Sequence, residues 1–168
     1  MDQPALDAAL NEELSAEIGR AVIDAMKNTF SEDVKPGTYE VGEGPVVLSG
    51  DVSGVIGMVQ NDLEGTLTIC FHEETMKNIL PKVLGKDVQV THDMAMDAVS
   101  EITNMIYGHV KNALNSRGFQ LKLAIPSVLS GRGQFINHFH RGRYLVMPFN
   151  IADRQFQVHI AVHQLQQH

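Results

Sequence analysis

The sequence predicts an α+β fold in which two pseudo-symmetric helix-plus-hairpin halves share one largely antiparallel sheet, with long helices packed on it. Three observations carry this expectation. The run Thr66-Leu67-Thr68-Ile69-Cys70-Phe71 alternates polar and apolar residues strictly, the period of a strand with Leu67, Ile69 and Phe71 toward a core. Two long segments instead repeat their apolar residues at spacings of three and four, the period of a helix face. Finally, Pro45-Val46-Val47-Leu48-Ser49-Gly50 returns 81 residues later as Pro126-Ser127-Val128-Leu129-Ser130-Gly131. Each copy follows a long helix and precedes a hairpin, which points to an internal duplication.

The first helix is expected from about Leu6 to Phe30, with Leu10, Leu14, Ile18, Val22, Ala25 and Met26 on one side and acids near its start. A linker holding Pro36, Gly37, Gly42, Gly44 and Pro45 ends it. Val46 to Leu48 and Val52 to Val59 read as strands, and Asn61 to Gly65 as the turn of a hairpin leading into the alternating run. Glu73 to Leu84 reads as a helix that Pro81 should kink or shorten and Gly85 should end. A long helix follows from about Asp93, as N-cap, to Arg117, with Gly118 as the stop. Strands are expected at Leu121 to Leu129, Gln134 to Phe139, Arg143 to Phe149 and Arg154 to His163. In the last, Phe156, Val158, Ile160 and Val162 point inward, and Gln157, His159 and His163 form a wet face.

Composition excludes several kinds of function. With 168 residues, 43% of them hydrophobic, the chain can bury a core of its own, and residues 1–168 are expected to form a single domain. A net charge of −7 opposes binding to nucleic acid, because phosphates need a basic surface. No apolar run approaches the roughly 20 residues of a membrane span. The first residues lack the positive start and apolar core of a signal peptide, and the one cysteine, Cys70, cannot form an internal disulfide. A soluble cytoplasmic domain is the expectation.

The long helix carries the chemistry. At 100° per residue, Ala98, Ile102, Met105, Ile106, Val110 and Ala113 share a broad apolar face. Asp97, Glu101, Asn104 and Gly108 fall opposite, within an arc of about 60°. A carboxylate and a carboxamide thus stand one turn apart on the solvent face. A glycine follows one turn later, where it costs about 1 kcal/mol relative to Ala. Glu and Asn on a solvent face are ordinary, and with ten Glu and nine Asn about 0.5 Glu-x-x-Asn pairs are expected by accident. The longer pattern is specific. Asp97, Glu101, Asn104 and Pro126 spell D-x3-E-x2-N-x21-P, for which about 0.002 accidental matches are expected.

That pattern resembles the signature of the CheC/CheX/FliY family of chemotaxis phosphatases. Asp51-Val52-Ser53-Gly54-Val55-Ile56-Gly57, Glu73-Glu74-Thr75 and Glu101-Ile102-Thr103-Asn104-Met105-Ile106-Tyr107-Gly108 are similar to the CheX branch in particular. The resemblance covers roughly Val46 to Val162, plus a first helix of the expected kind. It implies a protein-aspartate phosphatase acting on a phosphorylated CheY-like response regulator. It gives Glu101 the role of holding a lysine of the regulator, and Asn104 that of orienting the attacking water. Asp97 and Gly108 become partner-binding positions. The resemblance further implies a homodimer, and a Mg²⁺ that belongs to the regulator rather than to a metal site or cofactor of this chain. CheC-type relatives can carry the motif on both long helices, whereas Asn11 to Arg20 contains no Glu-x-x-Asn, so one site per chain is expected.

Two other functions compete with this one. A non-catalytic regulator-binding or flagellar-switch module of the same fold has no reason to hold both Glu101 and Asn104 at this spacing. A metal-dependent hydrolase would use His138-x-His140 and His159-x3-His163, but no acid or Cys is placed to complete a tetrahedral set. Exposed histidines around a hairpin are the simpler reading. Arg132, Arg141 and Arg143 read as solvated turn charges near it.

Overall fold

The structure, a computed structural model, describes residues 14–60, 63–136, 143–152 and 154–164. Its elements are α1 (Ser15–Phe30), β1 (Val34–Pro36), β2 (Glu40–Glu43), β3 (Val46–Val47), β4 (Val52–Gln60) and β5 (Leu63–Phe71). Then come α2 (Glu73–Leu84), α3 (His92–Ser116), β6 (Ser127–Ser130), β7 (Phe135–Ile136), β8 (Arg143–Ile151) and β9 (Arg154–Gln164). Among the described residues one antiparallel sheet runs β1-β8-β9-β5-β4-β6, with β2 also on β8, and β3 pairs with β7 in a second small sheet.

The halves are pseudo-symmetric. β5 and β9 pair at the centre, and the outermost pairs of the two hairpins are Gln60 with Leu63 in one and Ile151 with Arg154 in the other. Ser127–Ser130 lie beside Val52–Val55 as Glu40–Glu43 lie beside Arg143–Val146. β6 is therefore the counterpart of β2, and Val52 corresponds to Arg143, 91 residues on. The echo at Pro45 and Pro126 joins β3 to β6, which are not equivalent, so that likeness is accidental. The supposed linker before it also holds β1 and β2, because Val34 and the backbone of Glu40–Glu43 complete the free edge of β8.

The main core lies between the three helices and one face of the sheet. Ile18, Val22 and Met26 of α1, Met76 and Ile79 of α2, and Val99, Ile102 and Ile106 of α3 pack on Ile56, Leu67, Ile69, Phe149, Val158 and Ile160. Phe71, Phe156 and Phe149 stack across three neighbouring strands, with centroids 4.5 and 5.3 Å apart. Such pairs add about 0.5–1.5 kcal/mol each beyond area burial. A bidentate pair from Arg117 to Glu17, at 3.0 and 3.2 Å, ties α3 to α1.

The other face of the sheet is not wet. Ser53, Thr68, Cys70, His159 and His163 are all buried, and Val46, Leu48 and Cys70 form a second cluster with Ile136 and Tyr144. The small β3–β7 sheet and the ring of Tyr144, 6.4 Å from that of His159, shelter this face. Polar letters at alternate positions of β9 therefore mark a second interior.

Two boundaries differ from expectation, and a third holds across a proline. α2 runs through Pro81 to Leu84 without being shortened. The carbonyl deprived of its donor belongs to exposed Lys77, where water can serve, and Gly85, with φ of 116°, ends the helix. The N-cap of α3 is Thr91, whose hydroxyl accepts from the Met94 N–H at 3.2 Å, and Asp93 sits in the first turn. Gly118, with φ of 98°, stops α3 as expected. The strand expected from Leu121 begins only at Ser127. Asn115 takes both backbone groups of Leu121, Tyr107 donates to the Lys122 carbonyl at 2.7 Å, and Pro126 has no N–H. The expected start of the first helix, residues 6–13, and Asn61 and Asp62 of the expected turn lie outside the described residues, whereas Leu63, Glu64 and Gly65 of that turn already belong to β5.

Candidate functional site

The solvent face of α3 is set by what the opposite face buries. Ala98, Ile102, Ile106 and Val110 are inside, and Asp97, Glu101 and Asn104 are exposed, with half-buried Gly108 beyond them. The sequence-predicted residues therefore stand together along one side of one helix. Asn104 lies three residues past Glu101, about 4.5 Å along the axis.

The side chains of this stripe are without partners among the described residues. Among the described residues neither the Glu101 nor the Asn104 side chain has a hydrogen bond or ion pair. Asp93, Asp97 and Glu101 follow one another at i, i+4 and i+8, all exposed. Like charges at that spacing destabilise a helix by about 0.2–0.5 kcal/mol per pair, and among the described residues none of the three has an ion pair. What the stripe can do is hold a cation of another molecule and offer a carboxamide that both donates and accepts. Around Gly108 there is open space, with no atom within 4 Å of a Cβ added there. Packing inside this chain thus does not require the glycine.

The inner side of the same helix has a close approach that sequence reasoning missed. Thr103 is fully buried, and a Cβ added at Gly54 would fall 2.0 Å from its Oγ1. Both residues lie in strings that mark the resemblance, but only the crossing of α3 over β4 brings them together. Pro126, the last member of the pattern, leads into β6, which pairs Val128 with Gly54.

The remaining candidates separate. His138, His140 and Arg141 lie outside the described residues. His159 and His163 are interior residues of β9 rather than exposed hairpin histidines. Among the described residues no group of three or more His, Cys, Asp or Glu could hold a metal ion. Arg143 pairs with Glu43 at 3.2 Å. Arg132 and Arg154 instead open onto a cleft of about 350 Å³ at the start of α2, lined also by Asp51, His72, Glu73, Glu74 and Lys77. There Asp51 accepts from the Glu73 N–H, and the Glu73 carboxylate meets His92 at 2.8 Å. That hydrogen bond, with Lys77 in support, holds the Glu73 carboxyl below the ordinary glutamate value.

Comparison with known proteins gives one coherent result. Residues 52–150 match the family model described as chemotaxis phosphatase CheX. The CheY-P phosphatase CheX of Thermotoga maritima is 28% identical over 110 residues, covering 64% of this chain and 69% of that one. Among solved structures, a CheC-like superfamily protein from Shewanella sp. PV-4 is 30% identical with a TM-score of 0.79, covering 91% of this chain and 99% of the other. The chemotaxis protein CheX from Vibrio vulnificus is also 30% identical, with a TM-score of 0.75 over 90% and 99%.

Proposed function

The chain belongs to the CheX family of chemotaxis proteins, within the CheC/CheX/FliY group, and from that premise we propose that it hydrolyses the aspartyl phosphate of a CheY-like response regulator. The observation that carries this reading is the unpartnered Glu101 and Asn104, one turn apart on the exposed side of α3. A relative 28% identical is named a CheY-P phosphatase, which supports the choice of substrate.

The chemistry asks little of the chain. An acyl phosphate is already activated, and a loose phosphoryl transition state needs mainly a positioned nucleophile and charge stabilisation. In the proposed step Asn104 enters the regulator's active site and its amide oxygen accepts a hydrogen bond from a water. The water oxygen attacks phosphorus, the bond from phosphorus to the aspartyl oxygen breaks, and carboxylate and inorganic phosphate result. Mg²⁺ held by the regulator neutralises the phosphoryl oxygens, and this chain contributes no metal or cofactor. Glu101 pairs with a lysine of the regulator and fixes the approach, with Asp97 adding negative charge beside it and Gly108 leaving room for the docked surface. The working unit is proposed to be a cytoplasmic homodimer of a single domain, residues 1–168.

The test is phosphate release from a phosphorylated regulator with and without the protein. Asn104→Ala is expected to bind the regulator nearly as before and to lose about 10²–10³ in turnover, the usual cost of one positioned polar group. Its stability should move by no more than about 0.5 kcal/mol, since the side chain is exposed. Near-normal turnover in the variant would refute the water-orienting role. Regulator binding with no phosphate release, by the unmodified chain, would establish the non-catalytic binding module instead.

A further inference from the structure

Gly54 and Thr103 meet where α3 crosses β4. Thr103 is fully buried, and its hydroxyl donates back along the helix to the Val99 carbonyl at 2.6 Å. A Cβ on residue 54 would lie 2.0 Å from Thr103 Oγ1, 2.8 Å from its Cβ and 3.1 Å from its Cγ2. The threonine thus fills the volume that any other side chain at 54 would need. The strand cannot retreat, because Gly54 is paired on both sides, with Ile69 of β5 and Val128 of β6.

Thr103 follows Ile102 in sequence and, like it, points inward, away from Glu101. At about 100° per residue it is turned roughly 160° from Glu101 and 100° from Asn104 around the axis. With side chains about 5–6 Å from the axis, a 20° rotation of α3 would move the outer groups by about 2 Å. Displacements of about 1 Å at a reacting centre can cost about 10²-fold in rate. The contact that fixes the rotation of α3 is therefore strong enough in consequence to govern the outer face.

We propose that Gly54 and Thr103 form a steric lock that sets the rotation and height of α3 over the sheet and so aims Glu101 and Asn104 at the partner. Thr103 is a positioning residue, and Gly54 is the seat it requires. The catalytic consequence rests on the phosphatase reading above, whereas the lock itself does not.

The test uses the full chain with Gly54→Ala and with the swap Gly54→Ala/Thr103→Gly, which removes the opposing side chain from the helix. Gly54→Ala is expected to lower kcat by about tenfold or more, with a smaller change in KM. The swap is expected to regain most of that loss. A merely structural contact would lower the melting temperature and leave the kcat of the folded protein unchanged, and that result overturns the lock. If Gly54→Ala does not fold, Thr103→Ala and Thr103→Ser decide. A fall in kcat for Ala that Ser largely restores supports the lock, and an unchanged kcat for Ala overturns it.

A readout free of activity runs beside these rates. The amide resonances of Glu101 and Asn104 should shift in Gly54→Ala and return in the swap, and unshifted resonances overturn the proposal. Absence of turnover by the unmodified chain refutes the phosphatase reading alone, and the resonances then decide the lock.

Discussion

At the scale of single residues, exposure is the informative property. Glu101 is exposed and its side chain has no partner among the described residues, so its replacement tests recognition without disturbing the core. Glu101→Lys is expected to abolish productive engagement, because repulsion would replace the proposed charge pair. Reversing the charge of the regulator's lysine should restore part of the activity, and titrating the four combinations against phosphate release checks the pair. Gly108 makes a prediction of opposite sign for stability and function. With open space around its Cα, Gly108→Ala should raise stability by up to about 1 kcal/mol through helix propensity. Gly108→Leu should melt normally and fail to act on the regulator. Melting curves and rates on both variants separate a docking glycine from a packed one, and a large drop in melting temperature for Gly108→Ala would sink the docking role.

At the scale of elements, α3 is defined by its ends and by what it crosses. Thr91 caps it, Gly118 stops it and Arg117 ties its last turn to Glu17 of α1. Its first turn is tied to α2 through His92 and Glu73. Because the Glu73 carboxyl is held below the ordinary value of 4.5, this tie is fully present above that pH and is lost as pH falls through the lowered value. Glu73→Gln should therefore lower stability near neutrality, and the two proteins should converge as pH falls below about 4.5. The difference will be small, since the pair is at the surface. Denaturant unfolding of both proteins across that range checks it, and parallel curves would show that the tie adds nothing.

At the scale of the whole molecule, burial on both faces of the sheet controls chemistry far from the site. Cys70 is 1% exposed, on the face opposite the helices, and burial pushes its thiol up to about 12, with its cross-strand neighbour Ser53 acting the other way. A thiol so held forms almost no thiolate at neutral pH and offers no path to a reagent. The expected result is no reaction with a disulfide reagent at pH 8 in the native protein and complete reaction in denaturant. Any labelling of the native protein on a longer timescale should follow opening of the sheet. Fast labelling of the native protein would contradict the burial of this second interior.

Much of this protein was legible from local order alone. The solvent stripe of α3 follows from a 100° step and a run of apolar residues, which is why Asp97, Glu101, Asn104 and Gly108 fall together in both sequence and structure. The strand from Thr66 to Phe71 and the stop at Gly118 follow from period and backbone preference in the same way. Other features depended on partners distant in the chain. β1 and β2 carry weak strand signals and exist because β8 offers them an unpaired edge. His159 and His163 read as wet until a second layer covers their face. Leu121 to Pro126 has the composition of a strand, yet Tyr107 and Asn115 claim backbone groups that a ladder would need. The contact of Gly54 with Thr103 has no signature along the chain, because it arises where two elements cross. Periodicity reports which way a side chain points relative to its own element, whereas tertiary structure alone decides what waits on the other side.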